Sequence, residues 1–118
     1  MALLGLRLAH VAPKAEAEGI ASTFEALGLS QTHFPEAAGL PGAIFTTDDQ
    51  SSWAEFWHEA EGMPVGTMLQ LVVDDADAMA ATARANGLDP QGPMEAHGEK
   101  IYFLTLPGGL PMSFQSKI

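Results

Sequence analysis

The chain has no cysteine. Disulfides, thiolate metal sites and a cysteine nucleophile are therefore excluded. Basic residues are scarce: Arg7, Lys14, Arg84, Lys100 and Lys117 face 15 acids, for a formal net charge of −10. Such a surface repels phosphate backbones and anionic headgroups, so neither nucleic acid nor a membrane is an expected partner. With no cysteine to oxidise, a cytoplasmic protein is the expectation. No run approaches the ~18 apolar residues that a membrane-spanning helix needs. The apolar start, MALLGLRLAHVAPK, lacks a basic leader and a small-residue cleavage site, and reads as a strand rather than a signal peptide. Phosphate-binding glycine loops, zinc-protease helices and nucleophile elbows are also missing.

Apolar residues make up 47% of the 118 positions, enough for one domain, residues 1–118, with its own core. The chain also says one thing twice. ANGLDPQGPMEAHG (Ala85 to Gly98) is matched 59 residues earlier by ALGLSQTHFPEAAG (Ala26 to Gly39), with six of fourteen positions identical. At the same offset Ala21 meets Ala80, Thr23 meets Thr82 and Thr46 meets Thr105. A repeat of residues 1–61 and 62–118 follows.

Each copy predicts the same order of elements. In the second, MLQLVVDD alternates as a strand does, with Met68, Gln70 and Val72 on one face and Leu69, Leu71 and Val73 on the other. Asp74 and Asp75 offer an N-cap, the alanine-rich segment after them a helix, and Gly87 its stop. DPQGPMEAHG reads as an irregular strand; EKIYFLTL, PGG and LPMSFQSK read as a hairpin. In the first copy LLGLRLAHVA is the strand. The helix AEAEGIASTFEAL turns Ile20, Phe24 and Leu27 inward, and QTHF, GAIFTT and SWAEFWHE are the strands after it. Two βαβββ units in tandem result, an α+β chain.

This pattern resembles the vicinal oxygen chelate superfamily of glyoxalases, bleomycin-resistance proteins and extradiol dioxygenases. The likeness rests on LQLVVDDADAMAATARANGLDPQGP, YFLTLPGGLPMSFQS and FEALGL, and covers nearly the whole chain. It implies a cupped mixed sheet with helices on its convex side, a homodimer, and metal ligands on the first and last strands of each unit. Carried over, those positions fall on Met68 and Ser113 in the second unit. In the first they fall on Ala9 or, one residue on, His10, and on Ala54 or Glu55. A thioether and a hydroxyl are poor ligands for hard divalent ions. No cofactor is therefore expected, and His10 and Glu55 remain as the candidates for an alternative with a divalent metal.

The residues themselves point to binding. In SWAEFWHE, period two puts Trp53, Glu55 and Trp57 on one face and Ala54, Phe56 and His58 on the other. A carboxylate between two indoles suits a flat, cationic or hydrogen-bond-donating ligand. Gln70 and Gln115 share a face with Met68 and Ser113 and supply amides. Tyr102, the one tyrosine, is read as packing before it is read as a general acid. The function expected is metal-free binding of a small organic molecule. The alternative is a metal-dependent lyase or dioxygenase, like the lactoylglutathione lyases.

Overall fold

The first helix follows its strand with one residue between them, because Pro13 cannot continue the strand's hydrogen bonding and presets the helical turn. In the second repeat Asp75 does the corresponding work: its side chain accepts the Ala78 N–H at 3.0 Å. The computed structural model describes residues 2–37 and 39–118. Its elements are β1 (Leu3–Ala12), α1 (Lys14–Ala26), β2 (Gly42–Thr46), β3 (Trp53–His58), β4 (Gly66–Val73), α2 (Ala76–Ala85), β5 (Gln91–Ala96), β6 (Glu99–Thr105) and β7 (Pro111–Lys117). The strands are hydrogen-bonded in the order β2-β3-β1-β4-β7-β6-β5, a mixed, unclosed α+β sheet. Two compact units carry them, Arg7–Thr67 and Met1–Leu6 with Met68–Ile118, and β1 runs from one into the other.

In the N-terminal unit β1 pairs parallel with β3, and β2 pairs antiparallel with β3. The buried core is Ala43, Phe45 and Phe56, against which α1 lays Ile20, Ala21 and Phe24. Phe24 lies 4.9 Å from Phe45 and edge-on to Phe56 at 5.1 Å. Asp49 closes the β2–β3 turn, accepting from Thr47, from the Ser51 N–H and from the Ser51 hydroxyl. These bonds, the Ser51 N–H first, hold its carboxyl below the usual range.

Two sequence expectations change here. Leu27 does not face inward; it is the helix cap and is 73% exposed, since the helix stops at Ala26 and Gly28 turns the chain with φ +94°. The segment Gln31–Phe34 is not a strand. Thr32 donates its N–H to the Ile44 carbonyl at 2.7 Å, but the chain then enters a 3-10 turn at Pro35–Ala37. Pro35 has no N–H to continue a ladder.

In the C-terminal unit β4 pairs parallel with β7, and β5 and β6 complete an antiparallel meander. Val73, Ala76, Ala80, Tyr102, Met112 and Phe114 form its core, flanked by Leu69, Leu71 and Met79. The buried hydroxyl of Ser116 accepts the Ala76 N–H at 2.9 Å, so two side chains satisfy the start of α2. Asp77, in the first turn of α2, accepts from Lys100 Nζ and from the Tyr102 hydroxyl, both at 2.7 Å. Tyr102 is 4% exposed and stacked on Phe114, with ring centroids 5.3 Å apart; it is a packing residue.

Lys100, then Tyr102, hold the Asp77 carboxyl below its ordinary range. The Asp77 bond in turn raises both Lys100 and Tyr102. The signs give a window. A depressed acid contributes stability above its unfolded pKa and loses it as pH falls through the folded one. The raised phenol and ammonium contribute below their unfolded pKa and lose it as pH rises through the folded one. Thermal melts across pH should therefore show the midpoint falling in acid and again in strong alkali. Asp77→Ala should lower the plateau and flatten both limbs.

Candidate functional site

The alternation of β3 decides which side chains meet on each side of the N-terminal unit. Ala54 and Phe56 lie under α1. Trp53, Glu55 and Trp57 therefore lie on the opposite, open face. Parallel pairing with β1 sets Arg7 beside Trp53, Ala9 beside Glu55 and Val11 beside Trp57; β2 adds Ile44 beside Glu55 and Gly42 beside Trp57.

The open face is tightly organised around Trp53. Its indole Nε1 donates to Glu55 Oε2 at 2.8 Å. The Arg7 guanidinium lies over its ring, 3.8 Å from the centroid, and Phe34 packs at 5.2 Å. Arg7, Trp53, Glu55 and Trp57 are all half-buried. Trp53 is thus held by three partners and orients the carboxylate. Trp57 has a different surrounding. It lines a cavity of about 470 Å³ together with Ile44, Thr32, Phe34 and Leu40. Its indole lies against Gly42, where a methyl group would fall 2.3 Å from Trp57 Cε3 and 2.6 Å from the Phe56 carbonyl oxygen.

In the C-terminal unit β7 sends Met112 and Phe114 under α2, so Ser113 and Gln115 face the other way. Gln70 pairs with Ser113, and Met68 and Gln70 are half-buried on that same open face. Ser113 and Gln115 are enclosed, 1% and 3% exposed. Their polar atoms serve one another: Ser113 Oγ donates to Gln115 Oε1 at 2.9 Å, and Gln115 Nε2 donates to Glu99 at 3.3 Å.

No protein-family model and no curated protein sequence matches the chain. Solved structures do. A methylmalonyl-CoA epimerase from Mycobacterium tuberculosis superposes with TM-score 0.65 at 17% identity, covering 98% of this chain and 87% of that one. A glyoxalase/bleomycin resistance protein/dioxygenase superfamily member from Vibrio splendidus 12B01 gives 0.62 at 13%, covering 95% and 97%. The chain has a glyoxalase-like fold. A structure described as an NAD-dependent benzaldehyde dehydrogenase from Legionella pneumophila gives 0.66 at 12%, covering 96% and 99%. Identities this low speak for the fold and leave the chemistry to the site.

A glyoxalase-like metal centre needs donors converging on one face. The cross-strand registers settle which residues are equivalent. Ala9 pairs with Glu55 as Gln70 pairs with Ser113, so Glu55 holds the place of Ser113, and Ala9 that of Gln70. His10 pairs with Phe56 and shares its helix-side face. There its Nδ1 lies 2.6 Å from Thr67 Oγ1, and the ring meets Phe56 edge-on at 6.2 Å. The two metal candidates, His10 and Glu55, thus stand on opposite faces of the sheet and cannot share an ion. Among the described residues no three His, Cys, Asp or Glu side chains group to hold one. The donor set of the open faces, one carboxylate bonded to an indole, a hydroxyl–amide pair bonded to each other and the Gln70 amide, holds a single charged oxygen donor and does not fit a hard divalent ion.

Sequence reading missed Arg7, Phe34 and Gly42. Arg7 is the lone cation of β1, but its place over Trp53 follows only from the β1–β3 register. Gly42 shows no turn or positive φ to mark it; the need for it is the bulk of Trp57. Gly42→Ala should therefore destabilise the protein by about 1–3 kcal/mol, the usual cost of overpacking. Urea unfolding followed by tryptophan fluorescence checks this, with a shifted native emission as the indole is displaced.

Proposed function

We propose that this protein binds a small planar molecule carrying hydrogen-bond donors on the open face of the N-terminal unit, without a catalytic metal. The observation that carries the reading is the pairing of an oriented carboxylate, Glu55 held by Trp53 at 2.8 Å, with a cavity walled by Trp57. The cavity's volume of about 470 Å³ is in the range of small-molecule sites, roughly 300–1,000 Å³. Trp57 supplies the stacking surface, since Trp53 is already packed by Arg7 and Phe34. Ile44, the cross-strand partner of Glu55, also lines the cavity. In the C-terminal unit, taken by itself, Met68 and Gln70 are the half-buried residues of the open face and Ser113 and Gln115 are enclosed. For the alternative, a metal-dependent lyase or dioxygenase, no three His, Cys, Asp or Glu side chains group among the described residues.

Benzamidine, planar and donor-rich, is a suitable probe. It should quench tryptophan fluorescence saturably, and chelation by EDTA should leave the affinity unchanged. Trp57→Ala should weaken binding about tenfold or more, and Glu55→Gln somewhat less. Saturable binding that requires added Mn²⁺ would instead support the metal-dependent alternative.

The same reading includes a homodimer in the cytoplasm. Among the described residues no helix is long and apolar enough to cross a membrane. Leu4, Leu6 and Leu8, at alternating positions of β1, are 55%, 46% and 39% exposed. A leucine stripe of this kind on one strand is suited to burial against a second copy. Light scattering at micromolar concentration should give twice the chain mass, and Leu6→Asp with Leu8→Asp should return it to one.

A further inference from the structure

We propose that the N-terminal unit holds a second ligand site on the helix side of its sheet, between α1 and β1, suited to an uncharged phenol or alcohol with an apolar body. It is distinct from the open-face site, because the sheet lies between them. A cavity of about 690 Å³ is lined there by His10, Glu16, Gly19, Ile20, Phe24 and Val65. Its walls are apolar apart from the imidazole, the Thr23 hydroxyl, which donates to the Gly19 carbonyl at 2.8 Å, and the carboxylate of the exposed Glu16.

His10 is held in one orientation by Thr67 through Nδ1 and by the edge of Phe56. Nε2 is its other polar atom. A hydroxyl donates to that nitrogen in one tautomer and accepts from it in the other, so a neutral O–H partner suits both. An anionic head would meet Glu16 and a net charge of −10, which disfavours carboxylates and phosphates.

The repeat provides an internal control. His10 pairs with Phe56 as Leu71 pairs with Phe114, so an imidazole stands where the C-terminal unit has leucine. Ala54 pairs with Leu8 as Met112 pairs with Leu69, so alanine stands where that unit has methionine. The buried helix residues Ala17 and Ala76 correspond, which places Gly19 at Ala78 and Ile20 at Met79. The C-terminal unit closes its helix–sheet space with Leu71, Met79 and Met112. In the N-terminal unit an imidazole stands for that leucine, alanine for Met112 and Ile20 for Met79, and a cavity lies between helix and strand. Gly19 sharpens the contrast. Glycine inside a helix costs about 1 kcal/mol relative to alanine, and nothing beyond its chain neighbours and its own helix backbone lies within 4 Å of where its Cβ would be. Packing does not demand glycine there.

The test uses p-cresol with the intact chain labelled at histidine ¹³Cε1. The protein has four histidines, and His10→Gln identifies the His10 signal by its loss. That signal should move saturably with p-cresol, while toluene, lacking the hydroxyl, should bind about tenfold more weakly or worse. Gly19→Leu should raise the thermal midpoint and abolish the p-cresol response. Val65→Phe, on an exposed loop, should block the same space without touching the helix. Trp57→Ala should leave the response intact. A His10 signal that does not move, or equal binding of toluene, would overturn the proposal. Undiminished binding in both Gly19→Leu and Val65→Phe would do so too. Binding lost in Trp57→Ala but kept in those two variants would place the phenol on the open face, sinking this site and leaving the open-face reading intact.

Discussion

One constraint orders the N-terminal unit: a carboxylate in the middle of a strand cannot be buried beneath a helix without a partner. Glu55 sits between Ala54 and Phe56, both of which pack toward α1. Burying the lone charge there would cost several kcal/mol, whereas on the other face it accepts the Trp53 N–H. Strand periodicity then carries every neighbour with it. Trp53 and Trp57 join Glu55, and the β1 register brings Arg7 over Trp53 while sending His10 to the helix side. A slip of one residue would put Glu55 under the helix and expose Phe56.

The two units apply this scaffold differently. The C-terminal unit spends its apolar residues on a closed core and ties α2 to β6 through Asp77, Lys100 and Tyr102. Its open-face polar groups are enclosed and matched to each other. In the N-terminal unit aromatic, acidic and basic groups share the open face, and the helix side keeps an imidazole beside a cavity. The metal-ligand positions implied by the resemblance, Met68 and Ser113, Ala9 or His10, and Ala54 or Glu55, divide by face in the N-terminal unit: His10 and Ala54 lie on the helix side with Phe56, and Ala9 lies beside Glu55 on the other.

Much of this is written in local pattern. The alternation of β3, the alanine-rich second helix with its Asp75 cap, and the β6–β7 hairpin all depend on interactions within a few residues, and such interactions are visible in the order of side chains. The repeat made the second unit a template for the first, and with it the glyoxalase-like fold was legible. The template misled where the copies diverge. Pro35 ends the segment Gln31–Phe34 before a ladder forms, and Leu27 lies past the helix end.

The sequence by itself determined the strand faces, the fold and the three aromatic and acidic residues of β3 that share a side, because period two needs no knowledge of distant partners. Only the tertiary structure decided the register between β1 and β3, and with it the place of Arg7 over Trp53 and the separation of His10 from Glu55; the β2–β3 register decided the need for Gly42 beside Trp57. Those outcomes turn on which residues meet across neighbouring strands. Local propensity is silent on that choice; packing one face against a helix makes it.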